Sequence, residues 1–196
     1  MKIDTGKFRV QPGKKLDLKA WPTRIEPLCA GKPAYKKEHK AQSKALKCLQ
    51  EVFYAANRHA LLMIFQGMDA SGKDSAIEHV MSGVNPQGCQ VYSFKHPSAE
   101  ELDHDFLWRT TRNLPERGRI GIFNRSYYED VLVVKVHPEL LGDISSGVKI
   151  GKKFWERRYE DISAFEHHLV RNGTVILKFF LRSEEHTSEL QSRFGI

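Results

Sequence analysis

The segment from Leu61 to Lys73 constrains the fold more strongly than any other part of this 196-residue chain. An apolar run at residues 61–65 is followed by the turn Gly67-Met-Asp-Ala-Ser-Gly-Lys73 and then by a pattern compatible with a helix. Such a run predicts a strand buried on both faces, as in parallel sheets. The order of strand, glycine-rich turn and helix is the context in which G-x-x-x-x-G-K binds phosphate.

Apolar periodicity predicts further strands and helices in alternation along the chain. Residues 35–58 have apolar positions three and four apart and lysines on other faces, which predicts a basic amphipathic helix. Asn172-Gly173 is typical of a helix stop before a strand at 174–181. The other predicted elements are helices at 73–82, 99–113 and 154–170 and strands at 89–94 and 121–123. This alternation predicts an α/β domain with a mainly parallel sheet.

The charge of the chain favours a polyanionic or phosphorylated partner. Lys and Arg total 31 against 24 Asp and Glu, which gives a formal charge of +7 and a pI near 9.3. A basic protein attracts such partners through its electrostatic field. No apolar run approaches the roughly 20 residues that cross a bilayer, and the N-terminus has no apolar signal region. We therefore expect no membrane partner and a cytoplasmic location.

The glycine-rich turn is the main candidate site. Its backbone N–H groups and the following helix N-terminus attract phosphate oxygens, and Lys73 can reach a phosphoryl group being transferred. Asp74 stands where a Ser or Thr usually holds magnesium, and Ser75 comes one position later. The alternative is a turn that only joins strand to helix. The residues predicted to bind phosphate or nucleotide here are Gly67, Met68, Ala70, Ser71, Gly72, Asp74 and Ser75.

Asp69 places a carboxylate inside the turn itself. A carboxylate that faces a polyphosphate is strongly repelled unless a divalent cation lies between them or the carboxylate faces the acceptor. Asp69 is therefore a candidate magnesium ligand or acceptor-orienting group. The alternative is a carboxylate turned toward solvent.

A second polar cluster follows the predicted strand at 121–123. Because ligands of open α/β sheets gather at the carboxyl ends of strands, we expect these side chains to point toward the glycine-rich turn. Arg125 suits a transferred phosphoryl group, since its fork of donors spans two oxygens. Lys95 ends the preceding strand and is either a phosphate contact or a surface lysine. The alternative for the cluster is a helix capping box through Ser126 and Glu129. The cluster comprises Asn124, Arg125, Ser126, Glu129 and Asp130.

Several sequence blocks resemble one known family in their order along the chain. They are Gly67-Met-Asp-Ala-Ser-Gly-Lys-Asp74, Val84-Asn-Pro-Gln-Gly88, Ser93-Phe-Lys95, Asp105-Phe-Leu-Trp-Arg109, Phe123-Asn-Arg-Ser-Tyr-Tyr-Glu-Asp-Val-Leu132, Phe165-Glu166 and Gly173-Thr-Val-Ile-Leu-Lys178. From about residue 36 to residue 181 the chain resembles the polyphosphate kinase 2 proteins, which transfer phosphoryl groups between inorganic polyphosphate and nucleotides. The block that begins at Asn124 is similar to the subgroup that phosphorylates nucleoside monophosphates as well as diphosphates.

This resemblance implies a fold, a cofactor, partners and residue roles. The implied fold is a P-loop kinase-like three-layer α/β/α domain, and the implied substrates are inorganic polyphosphate and a nucleoside mono- or diphosphate such as AMP or ADP. It implies that Asp69, Lys73 and Arg125 are catalytic and that Asp69 and Asp74 hold Mg²⁺. Lys95 and the basic helix would guide the polyphosphate chain. The resemblance also implies a homo-oligomer with no nucleic-acid partner.

The resemblance divides the chain into three parts: an extended N-terminal arm at 1–33, the kinase-like domain at 34–181 and a tail at 182–196. The tail begins Arg182-Ser-Glu-Glu-His-Thr-Ser-Glu-Leu-Gln-Ser192, which resembles the in-frame translation of a common sequencing-library adapter. We expect the tail to be non-native and the domain to be incomplete, without the lid that closes over the phosphates. A genuine polar C-terminal helix is the alternative. The expected consequence is little or no activity for the chain as written.

Two other functions are compatible with these motifs. The first is an ATP-dependent nucleoside or small-molecule kinase on the same scaffold, which would need no polyphosphate; Asp69 inside the turn counts against it. The second is a non-catalytic module that binds RNA or another polyanion through the lysines at 36–47. In that case loss of Lys73 would leave function unchanged.

Overall fold

One parallel sheet organises the protein. The computed structural model describes residues 4–14, 16–141 and 149–182, and within them the strands are β1 (Ala60–Gly67), β2 (Cys89–Ser93), β3 (Ile120–Asn124) and β4 (Thr174–Leu181). Their order across the sheet is β2-β3-β1-β4, and every neighbouring pair is parallel. The predicted α/β class and parallel sheet are confirmed.

Helices cover both faces of this sheet. The longer ones are α1 (Gly31–Ala56), α2 (Lys73–Met81), α5 (Glu129–Val136) and α6 (Lys152–Arg171). On one face Ile77 of α2 packs with Phe65 and Ile122 of the sheet. On the other face a larger core joins Leu62 and Ile64 to residues of α5 and α6 such as Val131 and Ile162. The result is the three-layer arrangement that the resemblance implies.

The predicted helix at 99–113 is wrong as a single element. The structure has two separate turns, α3 (Ala99–Leu102) and α4 (Trp108–Thr111). Ser98 caps α3 through a capping box with Glu101, and the Asp105 carboxylate then accepts a hydrogen bond from the Leu107 N–H at 2.9 Å. That local bond offers the backbone a turn in place of a continuous helix.

The N-terminal arm accepts hydrogen bonds from the residue that follows the last strand. Residues before α1 form two short 3₁₀ turns, Thr5–Phe8 and Leu18–Ala20, joined by irregular chain. Arg182 donates to the carbonyls of Leu18 and Trp21, the latter at 3.5 Å. The proposed boundaries at residues 33 and 181 stay predictions, and the tail from residue 183 onward falls outside the described residues.

β4 is an edge of the sheet within the described residues, and its outer surface is apolar. Val175, Leu177, Phe179 and Phe180 are each between 40% and 56% exposed. Edge strands with exposed apolar residues favour association.

None of the helices in the described residues is long and apolar enough to span a membrane.

The central position of β3 generates a stability prediction. Ile122 is fully buried, so Ile122→Ala removes apolar burial and leaves a cavity that lowers the free energy of unfolding by about 2–5 kcal/mol. Val91→Ala on the neighbouring β2 is the control, because Val91 is 52% exposed. Urea unfolding of both variants checks this, and equal losses would contradict the assigned core.

Candidate active site

The glycine-rich turn runs from the end of β1 to the start of α2. Ala70 and Gly72 adopt left-handed conformations, with φ of 58° and 83°. A side chain at Gly67 would collide with the Leu181 carbonyl of β4 and the Ser71 hydroxyl. The sequence therefore needs glycine at position 67 because β4 lies directly against it.

Lys73 is buried beneath this turn. Its ammonium donates to the carbonyls of Gly67 and Met68 at 2.9 and 2.7 Å and contacts the Ser71 hydroxyl at 3.4 Å. Burial, followed by the nearby Arg125 guanidinium, lowers the pKa of Lys73, and surrounding carboxylates oppose that effect. The backbone of the turn therefore holds the Lys73 side chain in place, through the carbonyls of Gly67 and Met68.

A cavity of about 570 Å³ opens above the turn, at the carboxyl edge of the sheet. The predicted loop and strand-end residues meet here, since it is lined by Asp69, Ala70, Ser71, Gly72, Lys73, Asp74, Ser75, Ser93, Lys95, Asn124 and Arg125. The strand register brings these residues to one edge of the sheet, because Asn124 of β3 is the partner of Phe65 in β1 and of Ser93 in β2.

Two polar contacts cross this cavity. The Arg125 guanidinium pairs with the Asp69 carboxylate, and the Asn124 amide donates to the Asp74 carboxylate. Asp69 is 86% exposed, so the ion pair is solvated and contributes little to stability. A phosphate group can therefore take the place of Asp69 on Arg125 at small cost.

Three members of the second polar cluster do not line the cavity. Ser126 is buried and its hydroxyl donates to the Gln66 amide oxygen at 3.4 Å, while the Glu129 carboxylate accepts from the Gln66 amide nitrogen. Asp130 pairs with Arg158 of α6 at 3.4 Å. The expectation that they point toward the turn is therefore wrong for Ser126 and Asp130. The capping-box alternative is also wrong, because the Ser126 hydroxyl accepts from the Tyr128 N–H at 3.2 Å and the Glu129 carboxylate is bound by Gln66, so the two do not cap each other.

Sequence reasoning missed two contributors to the site. Ser93 lines the cavity beside Asn124, and its place at the end of β2 could have indicated this. Arg109 is buried and donates to the Lys95 carbonyl at 2.8 Å, which fixes the backbone of a cavity residue. No sequence pattern connects Arg109 to Lys95, since the contact depends on tertiary packing.

The donor set fits a divalent cation shared with a substrate. Within the described ranges no group of three or more His, Cys, Asp or Glu side chains could hold a metal ion without other ligands. Mg²⁺ is commonly bound through one or two carboxylates, with substrate phosphates and water completing its shell. Asp69 and Asp74 line one cavity and supply such carboxylates.

Comparison with known proteins decides the family. The model of the family Polyphosphate kinase 2 matches residues 30–195, which is most of the chain. The chain belongs to the polyphosphate kinase 2 family. An ADP-polyphosphate phosphotransferase from Rhodopseudomonas palustris is 57% identical over 99% of this chain and 67% of that protein. An AMP/ADP-polyphosphate phosphotransferase from Meiothermus ruber is 40% identical over 95% of this chain and 67% of that protein.

A solved structure of the family has the same fold. Polyphosphate Kinase 2 from Arthrobacter aurescens TC1 superposes with a TM-score of 0.81 at 35% identity, covering 96% of this chain and 65% of that one. The implied kinase-like α/β fold is confirmed. The chain spans about two thirds of the length of these relatives.

The Asp130–Arg158 pair beneath the site generates a pH prediction. Burial raises the pKa of Asp130 from 3.8 to about 6, against the opposing charges of Arg158 and Arg109. The folded state therefore holds this proton more tightly than the unfolded state, so the contribution of Asp130 to stability is full below about pH 4 and is lost as pH rises through about 6. As pH rises over that range, the free energy of unfolding of the unsubstituted protein should fall by at most about 3 kcal/mol relative to that of the Asp130→Asn variant.

Urea unfolding at a series of pH values between 4 and 7.5 measures this difference. Asp103→Asn is the control, because Asp103 lies exposed at the end of α3. A difference for Asp130→Asn that stays flat with pH would contradict the assignment.

Proposed function

We propose that this protein transfers phosphoryl groups between inorganic polyphosphate and nucleoside mono- and diphosphates, with AMP and ADP as the main acceptors. The observation that carries the proposal is one cavity in which Lys73 and Arg125 lie with the carboxylates of Asp69 and Asp74. The printed names of the Rhodopseudomonas and Meiothermus relatives support polyphosphate together with AMP or ADP.

Phosphoryl transfer needs positioning and charge neutralisation more than covalent chemistry. Backbone N–H groups of the turn and the N-terminus of α2 supply donors for phosphate oxygens. The Lys73 ammonium neutralises charge from beneath the turn, and Arg125 does so from β3 with a fork that spans two oxygens. Asp69 is released from Arg125 when phosphate binds, which frees its carboxylate to orient the acceptor or to hold a cation.

We propose Mg²⁺ as the cation and Asp69 and Asp74 as its protein ligands. When bound, this ion screens the charge between donor and acceptor oxygens. The hydrogen bond from Asn124 orients the Asp74 carboxylate within the cavity. Removal of divalent cations with EDTA should therefore abolish transfer, and addition of Mg²⁺ should restore it.

Lys95 is the proposed contact for the polyphosphate chain beyond the transferred group. It lines the cavity next to Ser93, and its backbone is fixed by Arg109. The basic helix α1 lies farther away, because Tyr35 and His39 contact His79 in the last turn of α2, whereas the cavity lies at its first turn. A role for the α1 lysines, the cytoplasmic location and the homo-oligomer stay predictions.

The decisive experiment uses a chimera in which residues 1–181 are followed by the whole segment of the Rhodopseudomonas relative that comes after its counterpart of residue 181. We expect the chimera to convert AMP and ADP to higher phosphates with polyphosphate and Mg²⁺. Lys73→Ala should lower kcat by at least about 100-fold, since it removes a charge that stabilises the transition state. Initial rates with AMP, ADP, GMP and GDP as acceptors measure this.

Lys152→Ala is the matched control, because Lys152 is an exposed lysine of α6 that pairs with Glu156 on the surface. Its rate should equal that of the unsubstituted chimera. Transfer from ATP with none from polyphosphate would favour the ATP-dependent kinase. Polyanion binding that is unaffected by Lys73→Ala, with no transfer from either donor, would favour the non-catalytic module.

A further inference from the structure

Arg125 has a backbone conformation that its residue type disfavours. Its φ is 65°, in the left-handed region, although it is neither glycine nor asparagine. Such a residue is strained and stays in this conformation only where its surroundings hold it. The strain lies at a cavity residue that the proposed function places on the transferred phosphoryl group.

The chain on the N-terminal side of Arg125 is held by the sheet. The Arg125 N–H donates to the Phe65 carbonyl of β1 at 3.0 Å, and the Asn124 carbonyl accepts from Phe94 at 3.0 Å. These bonds fix one end of the strained residue. They leave its ψ and the path of the next residues to be fixed by other contacts.

On the C-terminal side, a network of four side chains from the turn before α5, from α6 and from β4 holds the chain. Both tyrosine hydroxyls donate to the same Glu166 oxygen of α6, Tyr127 at 2.9 Å and Tyr128 at 2.8 Å. Lys178 of β4 donates to the other Glu166 oxygen at 2.7 Å and to the Tyr128 hydroxyl at 3.0 Å. We call Tyr127, Tyr128, Glu166 and Lys178 the Glu166 network.

Tyr127 and Glu166 form the buried part of this network. Tyr127 is fully buried and packs edge-on against Phe165, and the Glu166 side chain is only 15% exposed. Burial raises the pKa of both Tyr127 and Tyr128, so the two hydroxyls keep the protons that they donate to Glu166. Lys178 is 48% exposed and completes the network from the solvent side, so each of the four side chains has a partner. Hydrogen bonds that are all satisfied in this way fix one backbone path.

We propose that Glu166 is a positioning residue: through Tyr127 and Tyr128 it holds Arg125 in its left-handed conformation and so aims the guanidinium into the cavity. Glu166 is not in the cavity lining, so it acts through Arg125 and not on substrate. The activity part of this inference rests on the proposed function, whereas its conformational part does not.

The conformational part is tested by thermal unfolding of the 196-residue chain. Arg125→Gly relieves the left-handed strain and Arg125→Ala keeps it, so we expect the glycine variant to unfold about 2–4 °C above the alanine variant. In a Glu166→Ala background the backbone at Arg125 can relax. The difference in melting temperature between the glycine and alanine variants should then shrink to less than half. A merely structural role would lower both melting temperatures equally, and an unchanged difference would overturn the proposal.

Glu166→Gln provides the same comparison if Glu166→Ala does not fold. Glutamine can still accept from the tyrosine hydroxyls, but its amide group places donors opposite the Lys178 ammonium. In the Glu166→Gln background, the difference in melting temperature between Arg125→Gly and Arg125→Ala should be smaller than in the unsubstituted background. An equal difference would again overturn the proposal. Glu156→Gln is the matched control on α6, because its partner Lys152 is exposed, and the difference there should be unchanged.

The activity part is tested in the chimera. Glu166→Gln should lower kcat by about 10- to 100-fold with little change in KM for polyphosphate, because Arg125 is misaligned in the transition state. An unchanged kcat would overturn the positioning role. If the unsubstituted chimera has no turnover, the proposed function fails, and the unfolding comparison alone decides the conformational role.

Discussion

The parallel pairing of β1 with β3 determines where each charged group of the site lies. Phe65 of β1 faces Asn124 of β3, so the two chains leave the sheet side by side. One continues into the turn that holds Lys73, and the other continues to Arg125. Two cations that are 52 positions apart in sequence, from 73 to 125, therefore line one cavity. A shift of this register by one residue would turn every side chain of β3 to the opposite face.

Four charged side chains of the cavity, Asp69, Lys73, Asp74 and Arg125, each have a polar partner. Lys73 is bound to backbone carbonyls, Arg125 is paired with Asp69, and Asp74 accepts from Asn124. These partners differ from one another in how easily a phosphate group can replace them. The carbonyls around Lys73 belong to the backbone of the turn itself, whereas Asp69 is a solvated side chain. The arrangement thus combines a fixed cation with a cation that can change partners.

Local pattern was enough to predict the elements that local sequence determines. The bounds of β4 follow from an apolar run that only Lys178 interrupts after Thr174, and the Gly173 stop follows from a left-handed position with φ of 91°. The single helix predicted at 99–113 failed because the Asp105 side chain competes with the helix for the Leu107 N–H. Hydrophobic periodicity carries no information about such a side-chain bond.

Candidate site residues were predictable where strand ends and the glycine-rich turn placed them. Lys73, Lys95, Asn124 and Arg125 all line the cavity. Asp130 could not be assigned in this way, because its partner Arg158 is on a helix whose packing the sequence does not reveal. The contacts of Tyr127 and Tyr128 with Glu166 depend on tertiary packing in the same way.

The contact between Gly67 and the Leu181 carbonyl has a consequence for biosynthesis. The first glycine of the turn packs on the last residue of β4, and β1 pairs with β4 along its whole length. Contacts between residues so distant in sequence form slowly, because a long loop must close first. On the ribosome, β1 has no β4 neighbour until residues 174–181 have left the exit tunnel. Until then the nascent chain carries an apolar strand with one unpaired edge that chaperones can recognise.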